Sequence, residues 1–153
     1  MRSGRGSMAW LAVVAGALAA ALLAGLLWFN RSLASDRDDL TGTTWQLVAW
    51  TLDTALPTTA QLTLTFDDQG DEPYYSGSSG INNFRGRVWV GSKGDVEFGP
   101  AISTLMGGPD SVLRAESTYL RSLLTVVSYQ RSGDRLTLTG SDATELDFQL
   151  MSS

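Results

Sequence analysis

From Trp45 onward the apolar residues of this chain alternate with polar ones, at Trp45/Leu47/Ala49, Leu62/Leu64/Phe66, Val88/Val90, Val96/Phe98, Leu136/Leu138 and Leu146/Phe148/Leu150. Period-two alternation rich in Thr, Val and aromatics marks strands buried on one face, because successive side chains leave a strand on opposite sides. Turn residues separate these runs, at Leu56-Pro57, Asp67-Asp68-Gln69-Gly70, Gly91-Ser92-Lys93-Gly94, Ser132-Gly133-Asp134 and Gly140-Ser141-Asp142. The pattern reads as an antiparallel sheet of seven or eight strands. One segment departs from it. Between Pro109 and Leu124, the residues Val112, Leu113, Tyr119, Leu120, Leu123 and Leu124 recur at helical spacing, and Pro109 suits a helix's first turn. One helix laying an apolar stripe on a curled sheet predicts an α+β domain, a partly open β-barrel whose mouth or gap the helix covers.

Ahead of this domain, Met8 to Phe29 is an uncharged run rich in Ala and Leu, preceded by Arg2 and Arg5 and followed by Asn30-Arg31. It is long enough to span a bilayer. Trp10 and Trp28 would lie about 27 Å apart on a helix, one near each membrane interface. The expected organisation is a short basic N-terminus (1–7), a transmembrane helix or uncleaved signal anchor (8–29), a polar linker (30–39) and a folded domain (40–151). The competing reading is a cleaved signal peptide, from the small residues of Ser32-Leu33-Ala34 before Ser35. The length of the run favours the anchor. Either way the expectation is export: a single-pass protein of the cell membrane, with its C-terminal domain outside the cytoplasm, periplasmic or extracellular. That orientation rests on the leader's position, since basic residues flank the span on both sides. Ala12, Gly16, Ala20 and Ala24 form a strip of small side chains on one helical face, a spacing that an Ala-rich segment also produces by chance.

Two absences exclude whole classes of chemistry. Without histidine there is no Ser-His-Asp triad, no imidazole base and no His-ligated zinc or iron. Without cysteine there is no thiol nucleophile, thiolate metal site or disulfide. No cofactor is expected. Beyond residue 35, Arg37, Arg85, Arg87, Lys93, Arg114, Arg121, Arg131 and Arg135 face all sixteen carboxylates, a net charge of −8. That sign repels a phosphate backbone, so nucleic acid is not an expected partner.

Two segments carry a resemblance. Gly77-Ser78-Ser79-Gly80-Ile81-Asn82-Asn83-Phe84-Arg85-Gly86 and, about twenty residues on, Ser103-Thr104-Leu105-Met106-Gly107-Gly108-Pro109 resemble the two signatures of the META domain, the extracytoplasmic family of the heat-shock protein HslJ. The family pattern has Gly-Cys-Asn and an aromatic, then Thr-x-Met-x-Cys. Ile81 and Gly108 stand here at the two cysteine positions. The resemblance spans roughly residues 40–150 and implies strands, a helix in the second half and a closing hairpin. It also implies that the two cysteine positions face each other closely enough to be bridged. Apolar packing of Ile81 against the backbone at Gly108 is the expected replacement. The signature segments, the leader and the absence of catalytic residue sets together set the functional expectation: a non-catalytic role in the envelope stress response, through an unknown protein or hydrophobic ligand, with the membrane engaged by the N-terminal helix.

The candidate ligand or structural pocket residues are Asn82, Asn83, Arg85 and Glu116. Both amides follow Gly80 and have two readings, as hydrogen bonds to the loop's own backbone or as the lining of a crevice with Arg85. Glu116 falls between Val112/Leu113 and Tyr119/Leu120, on the face that should pack inward, where a carboxylate needs a partner. Arg85, Asn82 or Asn83 is the expected one, as a structural clamp or as part of a ligand site. The alternative to a binding role is a carboxylate-dependent hydrolase using Glu116. Asp67, Asp68, Asp71 and Glu72 fail the calcium-loop spacing and read as a solvated hairpin turn. Trp45, Trp50, Trp89, Phe84, Phe66 and Tyr119 have two readings, as a packed core or as the walls of an apolar cavity.

Overall fold

A computed structural model describes residues 39–69 and 72–152. The anchor expected over 8–29, the basic N-terminus and nearly all of the linker lie outside the described residues. Leu40 is the first core residue. It is buried, and the Thr43 hydroxyl donates to its carbonyl while the Trp45 indole N–H donates to Thr43 Oγ1 at 2.7 Å. Eight strands follow: β1 (Thr44–Trp50), β2 (Thr63–Gln69), β3 (Glu72–Ser78), β4 (Asn83–Val90), β5 (Val96–Ser103), β6 (Val126–Ser132), β7 (Arg135–Gly140) and β8 (Glu145–Ser152). Helix α1 (Asp110–Leu123) connects β5 to β6. Among the described residues, no helix is long and apolar enough to cross a membrane.

The strands form one antiparallel sheet in the order β5-β4-β3-β2-β1-β8-β7-β6. It curls until its two edges approach, joined by a single bridge between Asp95 and Ser128. Only the start of β5 meets β6, which leaves the barrel partly open. The strand directions divide the molecule into two ends. The start of β1, the end of β8 and the β2–β3, β4–β5 and β6–β7 turns share one end. At the other lie residues 51–61, the β3–β4 turn, the 104–109 loop and the start of α1.

Inside, aromatic rings touch in series. Tyr75 meets Phe98 edge-on at 4.9 Å, and Phe84 meets Tyr119 of α1 at 5.8 Å. Tyr119 also approaches Phe148 at 6.4 Å. Rings of this size, in contact and buried, supply most of the apolar area that holds a small barrel together. Trp45, Phe66, Phe84 and Tyr119 therefore belong to the packing, while Trp89, 58% exposed, points outward. Trp89 follows the inward Val88, so the pleat places it on the opposite face.

Bulges account for the other departures from simple alternation. The register between β1 and β8 slips between Leu47 and Ala49. Val48 is the extra residue, so Ala49 turns outward and Trp50 packs against the core instead. Val127 in β6 and Met151 in β8 are extra residues of the same kind, and like Val48 both are exposed. In β5 the extra residue lies in Gly99-Pro100, opposite Arg87. A proline has no N–H to give a ladder, and an edge-strand bulge asks for none. The Tyr75 hydroxyl reaches this irregularity from inside and donates to the Gly99 carbonyl at 2.6 Å. Burial pushes that phenol up to about 12.

The helix faces the core through Val112, Ala115, Tyr119, Ser122 and Leu123, rather than through Leu113 and Leu124. Leu124 is exposed because it lies past the last helical turn.

Candidate functional site

Asn82 organises the end of the barrel that carries the helix. It closes the β3–β4 turn, where Gly80 holds φ at +117°, a conformation that only glycine adopts without strain. A side chain there would also press on Val112 Cγ1, 2.9 Å from the position of a Cβ. The Asn82 carbonyl accepts from the backbone N–H and the hydroxyl of Ser79, at 2.8 and 3.0 Å. The turn is thereby closed, and the Asn82 side chain, 2% exposed, is aimed inward.

Each polar atom of that side chain is used. Its Nδ2 donates to both carboxylate oxygens of Glu116, at 2.9 and 3.0 Å, and to the Met106 carbonyl at 3.3 Å. Its Oδ1 accepts from the Met106 N–H at 2.7 Å and from the Thr104 hydroxyl at 2.9 Å. Thr104 in turn is laced to β4: its Oγ1 accepts from the Asn83 N–H at 3.1 Å, and its own N–H donates to the Asn83 carbonyl at 3.0 Å. One amide therefore ties together the β3–β4 turn, the loop before α1 and the helix itself. This answers the question of what pairs with Glu116, which is half-buried on α1. The partner is Asn82, and neither Arg85 nor Asn83.

Those two residues lie elsewhere. Phe84 points inward, so Asn83 and Arg85 flank it on the outer face and are exposed. The Arg85 guanidinium stacks 4.2 Å from the centre of the Tyr74 ring. Asn83 and Arg85 line a groove of 320 Å³ with Phe84, Ile102, Ser103 and Thr104. The four candidates thus divide into a buried clamp and an open groove that share the 103–106 segment. Thr104 and the Met106 backbone complete the clamp and were not singled out from sequence. Their place inside the second signature segment was the available signal.

Along that segment the side chains turn outward. Leu105 is 98% exposed, Ile102 79% and Met106 52%. Next to them, a Cβ built on Gly108 would overlap Ile81 Cδ1 and lie 3.2 Å from its Cγ1. Ile81 accordingly occupies the space over Gly108, as expected. Deeper in, the Tyr119 hydroxyl donates to the Thr63 carbonyl at 3.1 Å, and its acidity is pushed well down, first by burial and then by neighbouring Tyr75. Among the described residues no three acidic side chains gather as a metal site. Of the acidic hairpin, Glu72 pairs with Arg87 at 2.8 Å and accepts from the Tyr74 hydroxyl at 3.1 Å, while Asp71 lies outside the described residues.

A curled eight-stranded antiparallel sheet, capped by one helix that an asparagine clamps to two loops, defines a class of small α+β barrel. The chain matches the META domain over residues 38–153 and belongs to that family. No curated protein matches it. Among solved structures it is similar to a protein from Burkholderia xenovorans determined by NMR, at 24% identity and TM-score 0.64, covering 76% of this chain and 87% of that one. A second NMR structure matches at 19% identity and TM-score 0.56, covering 74% and 93%. A DUF4847-family protein from Bacteroides vulgatus matches at 15% identity and TM-score 0.51, covering 74% and 95%. At these identities the likeness concerns the fold alone.

Proposed function

We propose that this is a membrane-tethered, extracytoplasmic META domain that acts without catalysis, by docking a protein or hydrophobic ligand on the apolar loop at the helix end of the barrel, in the envelope stress response. The observation that carries the reading is the contrast within residues 102–106. The backbone at Met106 is held by a buried side chain, yet Ile102, Leu105 and Met106 present their apolar groups to water. A flexible loop loses entropy on binding, whereas one already held in place loses little. Exposed apolar side chains gathered on one held segment are the usual sign of a contact surface.

The groove of Asn83 and Arg85 adjoins this loop and adds polar contacts at its rim. Thr44, where β1 begins, lies at the opposite end of the barrel from this loop. In the competing hydrolase reading Glu116 would be a reacting group; the clamp accounts for the same carboxylate structurally, as the acceptor of the Asn82 amide at both oxygens.

A photo-crosslinking amino acid at position 105 in cells tests the proposal, with position 93 at the far end as control. A product specific to 105, lost in a Met106→Asp background, is expected. Equal labelling at 93 and 105, or none at either, would overturn it.

A further inference from the structure

The outward face of α1 carries a second feature that the loop does not use. Arg114 and Arg121 line a groove of 370 Å³ together with Ser117, Thr118, Thr54 and Leu113. Asp110 is also part of the lining, one carboxylate against two guanidinium groups. The domain is acidic, with a net charge of −8 beyond residue 35. In such a domain an exposed arginine has many carboxylates to choose from. Arg87 has Glu72, but among the described residues the guanidinium groups of Arg114 and Arg121 make no ion pair and no hydrogen bond. Even Asp110, four positions before Arg114 and well spaced for a helix pair, is not engaged by it.

The two arginines are seven positions apart in sequence, which puts them on the same side of the helix about 10.5 Å apart along its axis. Hydroxyl donors sit between them. Thr118 Oγ1 lies 3.4 Å from Thr54 Oγ1, which joins the residues 51–61 connection to the helix and shapes the groove wall. The arrangement is two planar, five-donor cations with neutral donors between, a set that recognises oxyanions in pairs.

We infer that this groove binds an acidic peptide segment of a partner protein, one that presents at least two carboxylates along an extended backbone. Charge complementarity selects that occupant. In an extended chain, carboxylates on alternate residues recur about every 6.6 Å along one face, within the reach of two flexible arginines so spaced. This goes beyond the loop reading, because it concerns a different face of the molecule.

Fluorescence anisotropy of a labelled oligoglutamate peptide, with the full chain in a non-ionic detergent, tests the inference. Saturable binding that weakens with added salt is expected. Arg114→Gln and Arg121→Gln should each lower affinity roughly three- to fivefold, and the double change roughly tenfold or more, in keeping with exposed charge pairs. Arg135→Gln, at the other end of the barrel, should leave affinity unchanged. The inference fails if oligoglutamate does not bind, if the double variant binds it equally, or if inorganic polyphosphate binds through these arginines in its place. Such a failure leaves the crosslinking result at position 105 standing, so the two proposals fall separately.

Discussion

Replacing Ile81 and Gly108 together by cysteine should convert an apolar contact into a covalent one. A Cβ at Gly108 would lie 3.2 Å from Ile81 Cγ1 and 3.9 Å from Cγ2. Ile81 Cβ is one bond beyond both, so the two Cβ atoms would be roughly 4–4.7 Å apart, which overlaps the range of about 3.5–4.5 Å seen in disulfides. The bond would close a loop of about 27 residues, for which chain entropy predicts roughly 3.5 kcal/mol of stabilisation. Against this stands the half-buried Ile81 side chain, whose loss costs about 1 kcal/mol. The net gain is about 2.5 kcal/mol, on the order of 10 °C in Tm for a domain of this size. Thermal unfolding by circular dichroism, with and without reductant, measures it. The oxidised double variant should melt above the wild type and the reduced one slightly below. If thiol titration shows that no disulfide forms under mild oxidation, Ile81 does not lie over Gly108 and the alignment of both signature segments is wrong.

The clamp makes a second expectation quantitative. Asn82→Asp keeps the acceptor for Met106 and Thr104 but sets a carboxylate against Glu116, and should cost about 2–4 kcal/mol in urea unfolding at pH 7. Adding Glu116→Gln should restore most of that loss, because the donor and acceptor have merely changed sides; a double variant no more stable than Asn82→Asp would refute the clamp. A third concerns alkali. Burial raises the Tyr75 phenol from 10.0 to about 12 in the folded chain, so its contribution is fully present below pH 10 and is lost as pH rises toward 12. Unfolding free energies at pH 9 and 11 should therefore fall more steeply for the wild type than for Tyr75→Phe, and equal slopes would contradict the assignment.

Much of the fold was legible in the order of residues. Alternation at Leu62/Leu64/Phe66 and Leu146/Phe148/Leu150 marked strands whose inward residues are now buried, Leu150 partly so, because a strand's side chains have no choice but to alternate. The helix was legible from a change of period, and the contact between Ile81 and Gly108 from the META pattern. Strands β3 and β6 were less so: Tyr75 is the one large side chain that β3 sends fully into the core, and a bulge at Val127 interrupts β6. At Leu47–Ala49 the same kind of bulge reversed the phase, and nothing in the local composition announces an extra residue.

The site divided along the same line. An inward-facing carboxylate's need for a partner was evident from Glu116 alone, since desolvation is a local cost. Which of Asn82, Asn83 and Arg85 would meet it depended on the pleat of β4 and the closure of the turn by Ser79, and these exist only once β3 and β4 are paired. The exposed loop at Leu105 and the unpaired arginines of α1 are further still from sequence. Exposure and the absence of a partner are properties of the space around a side chain, and that space is made by residues distant in the chain. The sequence by itself determined the period of each element and the charge of the surface. Tertiary structure decided which groups meet and which are left facing outward.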